Sequence, residues 1–131
     1  PAALNAEVAL HEAGFGNVRV VSEKIGQASA IKMIRSVMVK GIEALTDEMM
    51  QAAAAAGVTE EVLASLDANG KAISWPERAA YNLERMHSHG LRRAAEMEES
   101  AKTLESLGVA PIMTQGTVKR QRNAAGKGTI L

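Results

Sequence analysis

Apolar residues recur at helical spacing through the longest uninterrupted segment of the chain, from about Ile25 to Ala56. They form two neighbouring rows with steps of three and four: Ile31, Ile34, Met38, Ile42, Leu45 and Met49 in one row, and Ala30, Met33, Val37, Gly41 and Ala44 in the other. Two adjacent apolar rows make a wide face of the kind that a central helix buries. The pattern therefore predicts an all-α domain built around one long central helix.

The first 23 residues carry a different pattern. A short helix over Ala2–Ala13 ends at a cluster of turn residues, and Val18–Val21 then predicts a short strand. Because a lone strand cannot satisfy its own backbone groups, we expect it to pair with residues outside this chain. A helix followed by a strand is how an α/β domain ends. We therefore expect residues 1–23 to be the tail end of such a domain and residues 24–131 to be a separate helical domain.

Helix-start and helix-stop residues divide the rest of the chain. Ser74 followed by Pro76 marks a helix start, since proline in the first turn has no amide hydrogen to leave unbonded. Gly108 and Pro111 mark a helix end. The predicted elements are Thr59–Asn69, Trp75 to about His87, a break or kink at Gly90, Leu91–Gly108, Pro111 to about Arg122, and a loose tail over 123–131.

Composition narrows the class of protein. Aromatic residues make up 2% of the chain, so alanine, aliphatic residues and seven methionines must fill the interior, which favours close helix packing. Fifteen basic and fifteen acidic residues cancel, which argues against a nucleic-acid or membrane-surface partner. The chain has no cysteine and no apolar run of membrane-spanning length, so we expect a cytoplasmic protein.

Lys32 is the candidate for chemistry. It lies near the start of the most apolar helix, with Ser29 three residues before it and Ser36 four residues after it on the same side. A lysine amine at the edge of a buried helix suits proton transfer. The free N–H groups of a helix N-terminus favour an anionic substrate. No metal site is expected, because His87 and His89 are two apart on a helix and only His11 remains.

The segment from Gly26 to Gly41, with Lys32 six residues beyond Gly26, resembles the catalytic-lysine helix of the β-hydroxyacid dehydrogenases, which include 6-phosphogluconate dehydrogenase. The preceding Val18–Val21 fits the end of that family's Rossmann domain. The resemblance implies a 6-phosphogluconate dehydrogenase C-terminal-like helical domain, and it implies that the family's homodimer forms through it.

The resemblance also implies an activity. In that family the lysine is the general acid/base on the substrate hydroxyl of a small hydroxy acid or related alcohol, which assigns that role to Lys32. Ser29, Arg35 and Ser36 become the expected ligands of a small anionic substrate. Arg35 stands where the family usually has asparagine, which changes the expected substrate. NAD or NADP is the implied cofactor, bound mainly by an N-terminal domain, since this chain has no Gly-x-Gly-x-x-Gly fingerprint.

Two other readings stay open. The chain is alternatively a non-enzymatic helical interaction or DNA-binding module, with Thr59–Asn69 as its recognition helix, although Glu60 and Glu61 would repel phosphates. Within the enzyme class, reduction of an imine is a further alternative, against which the presence of Lys32 argues. The basic residues Lys119, Arg120, Arg122 and Lys127 belong either to a solvated tail or to a surface that attracts anions. Substrate identity, the choice between NAD and NADP, and the direction of reaction are not encoded in these patterns.

Overall fold

Five α-helices make up the regular structure of the residues described by the computed structural model, 2–21 and 23–127. No strand occurs in these two ranges, and the predicted all-helical class is confirmed. The helices, in chain order, are α1 (Ala2–Glu12), α2 (Gln27–Ala56), α3 (Thr59–Asn69), α4 (Trp75–Ser106) and α5 (Ile112–Ala124). The described helices are too short or too polar to cross a bilayer.

The chain divides into two compact units, residues 1–42 and 43–131. In the first unit, the Val20 amide donates to a Glu7 carboxylate oxygen over 3.2 Å, and His11 Nε2 lies 2.7 Å from the Val18 carbonyl oxygen. These two side chains of α1 therefore form hydrogen bonds with backbone groups of Val18 and Val20 that a neighbouring β-strand would otherwise use. Val18–Val21 therefore does not form the predicted strand, because no other segment of the described residues pairs with its backbone. The domain boundary between residues 23 and 24 stays a prediction.

Gly26 fixes the start of α2. Its φ of +84° is left-handed, a conformation that favours glycine and cannot continue a right-handed helix, so α2 begins at Gln27 and not at the predicted Ile25. The apolar rows of α2 are exposed within this chain: Ile34 is 72% exposed and Val37 is 75% exposed. The burial predicted for this face is therefore not supplied by the described residues, and the homodimer implied by the resemblance stays the predicted way of covering it. Burial begins only toward the end of the helix, beyond Leu45.

The core of the second unit is made of small side chains. Its buried apolar residues are alanines and valines: Ala52, Ala53, Ala94, Ala101, Val109 and Val118. Ala94 is completely buried. Alanine loses no side-chain entropy on burial but removes little apolar area from water, so such a core is stable only when helix backbones approach closely.

Helix α4 runs without interruption from Trp75 to Ser106, although the sequence analysis predicted two helices separated at Gly90. That prediction was wrong because Gly90 serves the packing of α4 against α5. A Cβ atom at position 90 would collide with the backbone oxygen of Gln121 and would lie 3.1 Å from the Cβ of Ala125. Glycine is thus present to allow a close helix approach, which local sequence signals do not distinguish from a helix break.

The residues after α5 are also more ordered than the predicted tail. Asn123 and Ala124 complete α5, and the Gly126 amide donates to the carbonyl oxygen of His87 over 3.0 Å. Ala125 is half-buried beside Gly90. The predicted loose tail is therefore wrong for 123–127, and residues 128–131 lie outside the described part of the chain.

Other local predictions were correct. Helix α3 has the predicted bounds, and α4 begins after Ser74, whose hydroxyl oxygen accepts a hydrogen bond from the Glu77 amide over 3.4 Å. Gly108, with a φ of +76°, follows the end of α4. These boundaries depend on contacts within one helical turn, which is why sequence alone specifies them.

We expect Gly90→Ala to lower the free energy of unfolding by about 1–3 kcal/mol, because the added methyl group forces α5 away from α4. Gly116→Ala is the matched control. Gly116 lies in α5 with open space around its Cβ position, so alanine there should stabilise the helix by about 0.5–1 kcal/mol. Urea denaturation monitored by circular dichroism measures both. Equal effects of the two substitutions would contradict the packing role of Gly90.

Candidate functional site

The four residues predicted to form the substrate site lie together in the first half of α2, within residues 1–42. Ser29, Lys32 and Ser36 follow one another at steps of three and four, and Arg35 lies one turn beyond Lys32. Ser36 is half-buried, and the other three are exposed. The Ser36 hydroxyl donates to the backbone oxygen of Lys32 over 2.9 Å, which leaves its lone pairs free to accept a bond from a ligand.

Two cationic side chains therefore stand one turn apart on an exposed helix surface. Within residues 2–21 and 23–127, neither Lys32 nor Arg35 has an acidic side chain within salt-bridge distance. Such a pair can attract a small anion, with the guanidinium offering two parallel donors to a carboxylate or phosphate. The catalytic and substrate-binding roles of these residues stay predictions.

A second polar centre, which the sequence analysis missed, lies at Glu48 on α2. This side chain is only 8% exposed and reaches the N-terminus of α5. The Met113 amide donates to Oε1 over 2.7 Å, and both the amide and the hydroxyl of Thr114 donate to Oε2, over 2.8 Å and 2.6 Å. The carboxylate thereby satisfies amides of the first turn of α5, which have no partner within the helix.

The geometry of this centre favours the ionised form of Glu48. Burial alone would raise the pKa of the carboxyl group, but hydrogen bonds from Thr114 and from the backbone amides of Met113, Thr114 and Ile112 outweigh burial and lower the pKa below its ordinary value. The partial positive charge at the start of α5 acts in the same direction. Glu48 is thus a remote helix cap, held as an anion by the helix that it caps.

Two sequence signals point to this contact in retrospect. Glu48 lies three residues after Leu45 and four before Ala52, so one carboxylate interrupts an apolar face. The residue before α5 is Pro111, whose side chain cannot accept a hydrogen bond from the first-turn amides. Neither signal shows which residue is the hydrogen-bond partner, because Glu48 and the start of α5 are more than sixty positions apart in the chain.

An apolar cavity of about 390 Å³ adjoins Glu48 and Thr114. Its wall is formed by α2, α3, α4 and the segments between them, largely through aliphatic and methionine side chains such as Leu45, Met49 and Met97. Glu48 and Thr114 are hydrogen-bonded to each other, and the lining hydroxyl groups of Ser100 and Thr103 donate to backbone oxygens of α4. The cavity therefore offers mainly apolar contact.

The three histidines belong to two different helices, α1 and α4. His11 lies 3.8 Å from a Glu7 carboxylate oxygen in the first unit, whereas His87 and His89 belong to α4. In the two described ranges, no three histidine or acidic side chains come together in a metal-binding arrangement.

Comparison with known proteins adds a family match. Residues 53–124 match the model described as Domain of unknown function (DUF1932), a span that takes in α3, α4 and α5 but neither Lys32 nor Glu48. No curated protein matches the chain. A solved structure, the crystal structure of the conserved hypothetical protein from Sinorhizobium meliloti 1021, is 40% identical over 98% of this chain and 44% of that chain, with a TM-score of 0.47. This chain thus spans less than half of that protein's length.

We expect Glu48→Gln to lower the free energy of unfolding by about 1–3 kcal/mol at neutral pH, because the amide is a weaker acceptor and directs two donors at amides that also donate. Glu43→Gln is the control. Glu43 is exposed near the same part of α2, and its substitution should change stability by less than about 0.5 kcal/mol. Chemical denaturation at pH 7 provides the comparison.

The pH dependence follows from the lowered pKa of Glu48. The ionised carboxylate stabilises the fold above the ordinary glutamate pKa of about 4.3 and loses that contribution as the pH falls through the lower folded-state value. The stability difference between wild type and Glu48→Gln should therefore shrink on acidification below about pH 4.3. A difference that stays constant from pH 7 to pH 3 would show that the charge of Glu48 is unimportant.

Proposed function

Because the chain belongs to the DUF1932 family, a C-terminal helical domain of NAD(P)-binding 3-hydroxyacid dehydrogenase-like proteins, we propose that it is the substrate-binding and dimer-forming part of an NAD(P)-dependent oxidoreductase. The substrate class is a small hydroxy acid or a related alcohol or carbonyl compound. The family match is the observation that carries the proposal. It covers the helical unit and agrees with the resemblance seen independently around Gly26 and Lys32.

In this proposal Lys32 is the general acid/base. Its amine accepts the proton of the substrate hydroxyl when an alcohol becomes a carbonyl compound, and it returns the proton in the reverse direction. Arg35, one turn away, binds the substrate carboxylate or phosphate through its planar guanidinium. Ser29 and Ser36 supply hydroxyl oxygens on the same helix face and orient the substrate near the amine.

The dinucleotide is assigned to a different domain. Binding of its pyrophosphate requires a glycine-rich turn between a strand and a helix, and this sequence contains no Gly-x-Gly-x-x-Gly motif. Bound nicotinamide would supply the hydride-transfer chemistry. This chain contributes the amine that accepts and returns the proton, and the cationic side chain that binds the anionic group of the substrate.

The exposed apolar face of α2 supports a homodimer. Large aliphatic side chains are exposed at successive turns of this helix, including Ile34, Val37 and Met38. An apolar stripe of this length is rarely left in water, and burying one such side chain gains about 1.5–3 kcal/mol. A second copy of the chain presents the same stripe and therefore offers a matching surface.

We expect Lys32→Met, introduced into the complete enzyme, to lower kcat by about 100-fold to 10,000-fold, because the proton acceptor is removed. Lys40→Met is the control. Lys40 lies two turns along the same helix, is also exposed, and should retain kcat within about threefold. Nucleotide affinity, measured by fluorescence titration, should be unchanged in both variants. Full turnover in Lys32→Met would remove the proposed role of the lysine.

We expect Val37→Glu to convert the protein from dimer to monomer, because a carboxylate in place of an apolar side chain would have to be buried in the interface. Lys40→Glu adds the same acidic group to the polar side of α2 and should leave the dimer intact. Sedimentation velocity at micromolar concentration separates the two species. A folded wild-type monomer at that concentration would contradict the dimer.

A further inference from the structure

Two arginines of α4 face a cavity that none of the preceding functions uses. The cavity has a volume of about 310 Å³ and is lined by Tyr81, Asn82, Arg85, Met86, Arg93 and Gln121. Arg85 and Arg93 are eight residues apart on one uninterrupted helix, which brings both to the same face. Both are half-buried, so water screens their charges less than it screens those of fully exposed arginines.

The lining of this cavity contains no carboxylate. Among the described residues, neither Arg85 nor Arg93 has an ion-pair partner. Nearby arginines behave differently: Arg92 lies 3.7 Å from Glu96, and Arg122 pairs with Glu98. A bound anion would supply the counter-charge that both of these arginines lack.

The opposite wall is supplied by Gln121 of α5. Its side-chain oxygen Oε1 is buried and has no hydrogen-bond donor in the described structure. Gln121 reaches this position because the glycine at position 90 allows α5 to approach α4 closely. Gln121 thus closes the cavity on the α5 side, and its unpaired oxygen lies out of a ligand's reach. The accessible polar side chain beside the two arginines is the amide of Asn82, which is exposed and can bond to a ligand hydroxyl group.

The aromatic ring at one end of the cavity adds a planar surface. The guanidinium carbon of Arg85 lies 5.6 Å from the centre of the Tyr81 ring, within the range of a cation–π contact. This contact holds the arginine at the cavity wall. An adjoining cavity of about 510 Å³ shares Tyr81 and Asn82 and is lined further by Lys71 and Arg78, with Glu77 as its acidic residue. There is therefore room for a ligand larger than a bare ion.

We propose that the cavity between α4 and α5 binds a small organic anion, in which a phosphate or carboxylate group meets Arg85 and Arg93 and a neighbouring hydroxyl group bonds to the side chain of Asn82. The volume of the cavity falls within the range of small-molecule sites and not of macromolecular interfaces. This site shares no residue with the proposed substrate site, since Lys32 and Arg35 belong to the other compact unit.

The test is a titration of the intact protein with inorganic phosphate, acetate and glycerol 3-phosphate, followed by the Nε–Hε resonances of arginine in NMR spectra. We expect saturable shifts at Arg85 and Arg93, and tighter binding of glycerol 3-phosphate than of inorganic phosphate because its hydroxyl groups can bond to the Asn82 side chain. Arg85→Gln and Arg93→Gln should each weaken binding about tenfold or more. Asn82→Leu, at an exposed position, should abolish the preference for glycerol 3-phosphate.

Arg92→Gln is the matched control, since it removes a neighbouring arginine that already pairs with Glu96, and it should bind as wild type does. The wild-type titration needs no variant to fold, so loss of structure in a mutant does not hide the result. Absence of saturable shifts in wild type, or equal weakening by Arg92→Gln, would overturn the proposal. Binding of duplex DNA in place of all three small anions would also overturn it.

Discussion

The bond between the Glu48 carboxylate and the start of α5 is the constraint on which the helical unit depends. It joins α2 to a helix more than sixty residues later, and it does so with charge-assisted hydrogen bonds inside a largely apolar region. A buried carboxylate is costly unless its lone pairs are satisfied. The first-turn amides of α5 are equally costly if left unpaired. Each group therefore stabilises the other, and these hydrogen bonds fix the position of the first turn of α5 against α2.

Once α5 is fixed at its first turn, its remaining length is positioned by contact with α4. The core between these helices consists of alanine and valine, and Gly90 removes the last side chain that would separate their backbones. The close approach also brings Gln121 over the arginine-lined cavity. One local constraint thus sets both the packing of the unit and the shape of its polar surface. The predicted substrate residues around Lys32 lie in the other compact unit.

Sequence predicted the helices well where their boundaries depend on neighbouring residues. The bounds of α3 and the start of α4 after Ser74 are of this kind. Sequence-based prediction failed where a residue is required by a contact distant in the chain. Gly90 looks locally like a helix break, but it is required by the close packing of α5. Glu48 was overlooked for the same reason, since a single acidic residue on a helix is usually solvated. The role of Lys32 stays a prediction that rests mainly on resemblance, because an exposed helical lysine has no distinctive local pattern.

The close approach of Gly90 to α5 has a consequence for how this domain changes over evolutionary time. A methyl group at position 90 would collide first with the backbone oxygen of Gln121 and would also crowd Ala125. No substitution removes a backbone oxygen, so glycine at position 125 alone would not make room for the methyl group. A lineage in which position 90 gains a side chain should therefore carry several compensating changes that move the end of α5, and not a single exchange at one facing residue.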